Sequence, residues 1–367
     1  MQRQSSEENK EIPMSDSKIK VLMVGPDRGV HGGISAIVNN YYEAGLDKRV
    51  DLKYIGTMKE GSRGKKLLVA ATAYFKFLCS LGWCDVVHVN ASSDSSIMRK
   101  SFFIRAAYRR NKKIVFHQHG GDFVNYFENQ ISEKRRRYLR RILDMSDVML
   151  VLTPTWKKFF SGLTDEGKIR VFPNSIVTEG EVSENFAASH DLRKILFLGR
   201  ICRDKGISEL LEAVDEIHEE DKDVVLYIGG IYEEPEYKAE LEKRSSYVKH
   251  IGWVRGKDKN KYLSECGIMA VPSYFEGFGM TVIEGMYSGL VVVGSEVGGI
   301  PDIITDGEDG ILIPPKDAKA LKNAMLRVMN DNSLAEKLRV SGHKKVEENY
   351  SAGVSVERLV NIYNSLV

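Results

Sequence analysis

The sequence predicts an α/β protein made of two facing domains, each an open parallel sheet of the Rossmann type. The chain has 367 residues, which is long for one ordinary domain and comfortable for two. Short apolar runs alternate along it with longer amphipathic stretches, as expected for repeated strand–helix units. The apolar runs lack a two-residue alternation, which indicates strands buried on both faces of a parallel sheet.

Twelve apolar runs are candidate strands, six in each half of the chain. In the first half they are Lys20–Gly25, Asp51–Gly56, Asp85–Asn90, Lys113–His119, Val148–Pro154 and Ile169–Pro173. In the second half they are Ile195–Arg200, Val224–Gly230, Val248–Val254, Ile268–Ser273, Val291–Ser295 and Gly310–Pro314. Ligands bind outside the carboxyl ends of parallel strands, so two such sheets in tandem predict a cleft between those edges.

The pattern also predicts the limits of the domains. We expect a disordered polar leader at 1–17, because this stretch is non-periodic and lacks the apolar core of a signal peptide. A first domain is expected at 18–185 and a second at 186–350, joined through the non-periodic stretch 174–191. One long helix is predicted from about Ser333 to Val367, with 351–367 packing back toward the first domain.

Composition narrows the class of protein. The formal net charge is only +2, so whole-chain charge indicates no particular partner. The four cysteines form no CxxC pair and no zinc-ligand spacing, which is typical of a reduced cytoplasmic protein. The stretch nearest to a membrane span, Leu67–Trp83, is interrupted by Lys76 and diluted by small polar residues.

Two cations surround the turn after the first strand of the second half. Arg200 ends the strand Ile195–Arg200, and Lys205 precedes Gly206, where a helix is expected to begin. Two cations beside a helix amino terminus suit a diphosphate, whose charge grows as a leaving group departs. The alternative is a solvated charged turn.

A second motif places two carboxylates at the same sheet edge. Glu276 lies in a loop after a strand, and residues 277–279 lead into a helix expected to begin near Met280. Glu284 then lies about one turn inside that helix. Two carboxylates disfavour a phosphate and suit the hydroxyl groups of a sugar and a ribose. Helix capping by Glu276 would explain one carboxylate but not both.

The first half contributes glycines and a histidine at its carboxyl edge. Gly32 and Gly33 precede a helix expected to begin near Ile34. Either the amide groups at the start of this helix bind an anion, or the turn needs glycine only for its backbone conformation. His119 ends the fourth strand and is expected to face the cleft opposite Glu276.

No metal site is expected. His117 and His119 lack a third ligand nearby, and His88 is interpreted as a core histidine. The formal DxD motif, Asp221 to Asp223, precedes a strand and so lies at the amino edge, away from the cleft.

These motifs resemble those of the retaining glycosyltransferases with the GT-B fold, specifically family 4 (glycosyl transferases group 1). The similarity extends over nearly everything after Lys18 and rests on Pro-Ser-x-x-Glu-Gly-Phe-Gly around Glu276 with its Glu-x7-Glu spacing. Gly-Arg-x4-Lys-Gly at 199–206 and Gly-Gly-Ile-Pro at 298–301 follow in the family's order. Two positions depart from the family pattern, Asp302 in place of glutamate and Ser175 in place of glycine.

The resemblance implies a role for each candidate residue. Arg200 and Lys205 would hold the donor diphosphate, Glu284 the ribose hydroxyls, and Glu276 the sugar hydroxyls or the leaving group. The remaining implied contacts are the amides of Gly277, Phe278 and Gly279 with the sugar, His119 near the sugar, Gly32 and Gly33 near the donor phosphate or the acceptor, and Val254 near the base.

The implied reaction moves a hexose or N-acetylhexosamine from a UDP- or GDP-sugar to a saccharide or lipid-linked saccharide, in cell-surface polysaccharide biosynthesis. No metal and no cofactor besides the donor is expected. A nucleotide-sugar epimerase of the same architecture and a non-catalytic binding subunit are the alternatives. A dehydrogenase is disfavoured because neither half has GxGxxG with a following acidic residue.

Basic residues concentrate in the first half, in two clusters at 99–113 and 134–141. One interpretation is peripheral contact with anionic lipid at the inner face of the plasma membrane, assisted by the apolar stretch Leu67–Leu81. The other is a set of ordinary solvated helix faces. Nucleic acid is a poorer explanation, because the aromatic residues are not spaced as stacking platforms.

Overall fold

The computed structural model describes residues 18–30, 32–92, 95–120, 123–178 and 190–367. The predicted leader at 1–17 and the predicted domain boundary at 185/186 lie outside the described residues, as does most of the stretch 174–191.

The described residues form two six-stranded sheets in which all neighbouring strands are parallel. The first sheet, with strand order β2-β1-β3-β4-β5-β6, contains β1 (Lys20–Gly25), β2 (Asp51–Gly56), β3 (Val86–Ala91), β4 (Lys113–Gln118), β5 (Val148–Val151) and β6 (Ile169–Val171). The second sheet, with strand order β12-β11-β10-β7-β8-β9, contains β7 (Asp191–Leu198), β8 (Val225–Gly229), β9 (Val248–Gly252), β10 (Cys266–Val271), β11 (Val291–Ser295) and β12 (Ile311–Ile313). The predicted α/β architecture is therefore confirmed.

Helices cover both faces of each sheet, and each sheet with its helices is called a domain below. The first domain has α1 (Gly33–Glu43), α2 (Leu46–Arg49), α3 (Arg63–Ser80), α4 (Ser95–Arg109), α5 (Phe123–Asn125), α6 (Glu133–Asp144) and α7 (Pro154–Ser161). The second has α8 (Ile207–Glu220), α9 (Glu236–Lys243), α10 (Gly256–Glu265), α11 (Met280–Tyr287), α12 (Ile300–Ile303), α13 (Ala318–Asn330) and α14 (Asn332–Tyr350), and α15 (Ala352–Asn364) ends the described chain. Short turns occur at Tyr126–Gln130, Glu166–Lys168 and Arg203–Lys205.

The sequence located all twelve strands and several of their ends. β1, β2 and β11 match their predicted bounds, whereas the predicted fourth and seventh strands extend past the ladder. His119 and Arg200 therefore lie just beyond β4 and β7, in the loops at the carboxyl edge. β7 also begins earlier than predicted, at Asp191, because this polar end pairs with Cys266 of β10.

The predicted continuous helix from Ser333 to Val367 was wrong, because the chain breaks at Ser351. Ser351 is extended, with φ −74° and ψ 146°, and its side chain accepts a hydrogen bond from Val354 N, which caps α15. Ile176, which follows the first domain, donates its N–H to Tyr350 O and accepts from Ala352 N at 3.0 and 2.8 Å. These bonds turn α15 back onto the first sheet, where Leu359 and Tyr363 are buried beside α1.

The basic helices of the first domain need a corrected interpretation. Lys100 does not belong to a solvated surface: its side chain is only 3% exposed, because it follows Ile97 and precedes Ile104 on the core face of α4. On α6 the apolar residues Leu139, Ile142 and Leu143 are buried in the domain core, so that helix exposes charge alone. No helix in the described part of the chain combines the length and apolarity needed to cross a membrane.

Candidate active site

A cavity of about 370 Å³ lies between the carboxyl edges of the two sheets. The first domain lines it with Gly33, His119, Gly120, Leu152 and Asn174. The second domain lines it mainly with residues of three loops, including Arg200, Lys205, Trp253, Glu276, Gly277, Phe278 and Gly279. The structure thus brings eight of the eleven sequence-predicted residues to one cleft, and leaves Gly32, Val254 and Glu284 outside its lining.

Lys205 and Glu276 form an ion pair at the floor of this cleft. Lys205 Nζ lies 2.6 Å from Glu276 Oε2, and the two side chains are only 18% and 21% exposed. The two loops are also joined by their backbones, because Tyr274 N donates to Asp204 O at 2.9 Å. Gly206 makes this approach possible: its φ is +70°, and a Cβ there would lie 2.0 Å from Pro272 O.

A pair of glycines supports the Glu276 loop from behind. Gly299 N donates to Glu276 O at 3.0 Å, and a Cβ on Gly298 would lie 1.8 Å from the same oxygen. The Gly-Gly-Ile-Pro segment therefore acts through the backbone that positions Glu276. Phe278 points into the core with 4% exposure, so it offers its backbone and not its ring to the cleft.

Glu284 lies one turn into α11, as predicted, but its partner was not predicted. Lys259 of α10 places Nζ 2.8 Å from Glu284 Oε1, with both side chains about a quarter exposed. Lys259 belongs to a run of charged residues that gives no sign of a specific role. The ion pair between Lys259 and Glu284 becomes visible only in the structure, where α10 lies beside α11.

Arg200 has a similar unpredicted partner in the loop after β8. Its Nη1 lies 2.6 and 2.5 Å from the two carboxylate oxygens of Glu233, and both side chains are about half exposed. Each predicted cation or carboxylate of the second domain is therefore held by an ion pair.

His119 lies at the opposite wall between two asparagines, and Asn90 accepts its hydrogen bond. Its Nε2 lies 2.7 Å from Asn90 Oδ1 and its Nδ1 lies 3.4 Å from Asn174 Oδ1. Asn90 Nδ2 donates to Val24 O, which leaves Oδ1 to accept from His119 and assigns the proton to Nε2. Burial lowers the pKa of His119 to about 4, so the ring is neutral at pH 7.

Two further histidines lie behind His119. The rings of His117 and His119 stack with centroids 3.7 Å apart, and the His88 ring lies 5.4 Å beyond His117. His88 is a fully buried core histidine, as predicted, and its Nδ1 lies 2.5 Å from Tyr363 Oη of α15. Burial lowers the pKa of His88 to about 3 and that of His117 well below its ordinary value.

A second cavity, of about 380 Å³, adjoins the cleft inside the first domain. Its lining includes Gly32, Gly33, Thr57, Lys100 and His119. Gly33 and His119 line both cavities, so the second opens toward the first. A Cβ on Gly32 or Gly33 would meet nothing within 4 Å, and both glycines therefore border open space.

The remaining candidates lie apart from the cleft. Val254 is positioned beside Gly229, 3.2 Å from where a Cβ would stand, and its neighbour Trp253 lines the cavity instead. Asp221 ends α8 and accepts from Asp223 N at 3.0 Å, so the DxD motif is a turn at the amino edge, as predicted. Among the described residues no group of three or more His, Cys, Asp or Glu side chains is arranged to hold a metal ion.

Comparison with known proteins agrees with this geometry. Residues 45–179 match the family described as Glycosyltransferase Family 4, and residues 179–345 match Glycosyl transferases group 1. A 41.2 kDa protein of the cps region of Klebsiella pneumoniae is 24% identical over 83% of this chain and 88% of its own. The capsular polysaccharide biosynthesis glycosyltransferase CapM of Staphylococcus aureus is 28% identical over 56% of this chain, and the match spans 58% of CapM.

Solved structures share the whole fold. Sucrose-phosphate synthase from Thermosynechococcus elongatus superposes with a TM-score of 0.73 at 19% identity, over 95% of this chain and 99% of that one. Anabaena HepE in complex with UDP superposes with a TM-score of 0.74 at 15% identity, over 95% and 100% of the two chains. The fold is GT-B, and the chain belongs to the glycosyltransferases of family 4, group 1.

Proposed function

We propose that the protein transfers a hexosyl or N-acetylhexosaminyl group from a UDP- or GDP-sugar to a saccharide or lipid-linked saccharide, with retention of anomeric configuration. The observation that carries the proposal is the cleft itself. Arg200, Lys205 and Glu276 come from separate loops of the second domain and line the cleft opposite His119, and Glu284 lies one turn into the helix that follows the Glu276 loop.

In this reaction the bond between the anomeric carbon and the diphosphate oxygen breaks, and its electron pair leaves with the diphosphate. Arg200 and Lys205 stabilise that developing charge. The acceptor hydroxyl oxygen bonds to the anomeric carbon on the same face, and its proton passes to the departing phosphate oxygen. Glu276 and Glu284 accept hydrogen bonds from sugar and ribose hydroxyls, a role that suits carboxylates better than contact with phosphate.

A neutral His119 fits this scheme. Its ring lies across the cleft from Glu276 and has one nitrogen without a proton. A neutral ring hydrogen-bonds a sugar hydroxyl without placing a further cation beside the diphosphate. We propose that His119 positions the transferred sugar, and that the amides of Gly277, Phe278 and Gly279 contact it from the other side.

We propose that the transfer needs no divalent metal. In metal-dependent transferases a cation neutralises the departing diphosphate, whereas here two side-chain cations and the turn before α8 are positioned for that task. The acidic DxD turn lies at the opposite edge of the sheet.

The names of two relatives suggest the pathway. CapM is named for capsular polysaccharide biosynthesis, and a protein of Bacillus subtilis, 26% identical over 68% of this chain, is named as a teichuronic acid biosynthesis glycosyltransferase. We propose that this chain likewise extends a cell-surface polysaccharide.

We further propose that it works in the cytoplasm, peripherally at the inner face of the plasma membrane. The support is α3, where Leu67, Leu68 and Phe75 are 72%, 66% and 68% exposed among the exposed lysines Lys65 and Lys66. Exposed apolar side chains flanked by cations suit an anionic lipid surface, to which each charge contributes about 1 kcal/mol.

Vesicle binding tests the membrane proposal. We expect the protein to cosediment with phosphatidylglycerol vesicles at low salt and only weakly with phosphatidylcholine vesicles. Replacing Leu67, Leu68 and Phe75 together by serine should abolish cosedimentation, whereas Val340→Ser, at an apolar position 46% exposed on α14, should not. Equal binding by both variants would contradict the proposal.

Nucleotide titration tests the transferase proposal. We expect one of UDP, GDP and ADP to bind selectively, equally well with and without EDTA, and to lose affinity in Glu284→Ala and Lys205→Ala. Lys322→Ala is the matched control, because Lys322 is 19% exposed and pairs with Glu216 at 2.7 Å away from the cleft. A folded protein that binds none of the nucleotides would refute the transferase and favour a non-catalytic binding subunit.

A further inference from the structure

We propose that Glu233 is a positioning residue that acts through Arg200. Its carboxylate competes with the nucleoside diphosphate for the Arg200 guanidinium and so speeds the release of this product after transfer. The inference deepens the proposed transferase function and rests on it. Glu233 lies in the loop after β8, outside the motifs that identify the family.

The ion pair between Arg200 and Glu233 uses the donor groups that a diphosphate needs. Nη1 of Arg200 lies 2.6 Å from Glu233 Oε1 and 2.5 Å from Glu233 Oε2. A guanidinium binds carboxylates and phosphates through the same N–H groups. Arg200 lines the cleft cavity, whereas Glu233 is not among the lining residues. Glu233 is therefore placed to compete for the guanidinium without lining the space that the sugar would fill.

The backbone fixes the position of Glu233. The loop after β8 runs alongside the loop after β7: Ile201 N donates to Ile231 O at 2.9 Å, and Glu233 N donates to Ile201 O at 3.1 Å. The next residue is tied as well, because Arg203 N donates to Glu234 Oε2 at 3.1 Å. The side chain of Glu233 is nevertheless 47% exposed. Its main chain is thus anchored, while its carboxylate is free to turn into solvent and back.

The strength of this ion pair suits competition and not blockage. The side chains of Arg200 and Glu233 are both about half exposed, and exposed ion pairs contribute little free energy. We therefore expect the carboxylate to lower the affinity for a nucleoside diphosphate by about two- to fivefold. An effect of this size leaves donor binding intact and still changes the rate at which a bound diphosphate dissociates.

The competition matters most after the sugar has been transferred. In the donor the terminal phosphate is esterified to the sugar, whereas in the product it is free and carries about −1.5 to −2 charge at pH 7. The product is therefore attracted to Arg200 more strongly than the donor is. Product release limits turnover in many enzymes. Glu233 gives the guanidinium a replacement partner as the diphosphate departs.

Nucleotide affinity and dissociation rate in the full chain test the proposal. Whichever of UDP, GDP and ADP binds is titrated by calorimetry, and its fluorescent mant derivative is chased with the unlabelled nucleotide in a stopped-flow instrument. We expect Glu233→Gln to tighten binding about two- to fivefold and to slow dissociation by the same factor. Glu234→Gln is the matched control, because it removes the same charge one residue further on, and it should change neither quantity.

A double-mutant cycle tests whether Glu233 acts through Arg200. Arg200→Met should weaken nucleotide binding, and adding Glu233→Gln to Arg200→Met should have no further effect, because the shared partner is gone. A gain in affinity of the same size in both backgrounds would overturn the proposal, since Glu233 would then act only as a general negative charge.

Two other results would also overturn the role of Glu233. One is unchanged or weaker nucleotide binding in Glu233→Gln, which would show that the carboxylate does not compete with the diphosphate. The other is an equal gain in Glu234→Gln. A folded protein that binds none of the three nucleotides would instead refute the transferase, so the two failures are distinguishable.

Discussion

Replacing Gly298 by alanine is expected to displace the loop that carries Glu276. Gly298 has a φ of +54°, and a Cβ there would lie 1.8 Å from the carbonyl oxygen of Glu276 and 2.8 Å from its carbonyl carbon. Real Cβ atoms keep at least 3.0 Å from such neighbours, so the Glu276 backbone must retreat by about 1.2 Å. The hydrogen bond from Gly299 N to the same oxygen would then be lost.

Two effects of different size follow from this displacement. The left-handed conformation costs an alanine about 1–2 kcal/mol, and the lost hydrogen bond adds about 1 kcal/mol, so the free energy of unfolding should fall by about 2–3 kcal/mol. A misplacement of about 1 Å costs a reacting site about 100-fold in rate. We therefore expect a folded variant with turnover reduced by about two orders of magnitude.

Gly307→Ala separates the steric clash from backbone strain. Gly307 has a φ of +70°, yet a Cβ there would meet nothing within 4 Å. It should lose only about 1–2 kcal/mol of unfolding free energy and keep its nucleotide affinity and turnover. Urea unfolding and nucleotide titration of both variants provide the measurements. Identical behaviour of Gly298→Ala and Gly307→Ala would refute the view that this glycine pair positions Glu276.

Two further predictions concern the partners of the site. Lys259→Met should weaken nucleotide binding several-fold, because Glu284 loses the ion pair that orients it. The loss of binding free energy in Lys259→Met should not add to the loss in Glu284→Gln. Additive losses would show that the two side chains act separately. His88 has a folded pKa of about 3 against an ordinary 6.5, so its stabilising contribution is complete above pH 6.5 and is lost as the pH falls toward 3. Urea unfolding at pH 5 and pH 7 should show that His88→Gln removes about 2 kcal/mol of the loss in unfolding free energy between these two pH values. An unchanged difference in His88→Gln would contradict the assignment.

Much of the fold was predictable because buried parallel strands can be recognised from the amino-acid sequence alone. An apolar β-branched run bounded by glycine or polar residues identifies a strand without any tertiary information. The ends of strands were less accurate, because pairing and not hydrophobicity decides them, as with Asp191 opposite Cys266. The break at Ser351 was missed for a similar reason: the hydrogen bonds that stop α14 come from Ile176, a residue far away in the chain.

Site residues were predictable where the signal comes from their neighbours in the sequence. Lys205 and Glu276 each lie in a glycine-containing turn after a strand, and both signals are visible in sequence. Their mutual contact joins residues 71 positions apart, and the contact between Lys259 and Glu284 joins residues 25 apart, so neither leaves a local pattern.

Lys100 shows a signal that was present and overlooked. Ile97, Lys100 and Ile104 follow helical spacing, which places the lysine on the buried face of α4 despite its basic neighbours. Grouping Lys100 with a surface cluster took its charge into account but not the face of the helix on which it lies.

The two domains that form the cleft differ in how they hold their basic side chains. In the second domain Arg200, Lys205 and Lys259 each pair with a carboxylate. A diphosphate bound there must share or displace those carboxylates, which suits a group that has to leave again after transfer. In the first domain the Lys100 side chain is buried and donates to the neutral Thr57 hydroxyl, and no described carboxylate pairs with it. Burial lowers the pKa of both Lys100 and His119 and so disfavours positive charge on these two side chains of the first domain. Arg200 and Lys205 of the second domain are therefore the cations that we propose to stabilise the departing diphosphate.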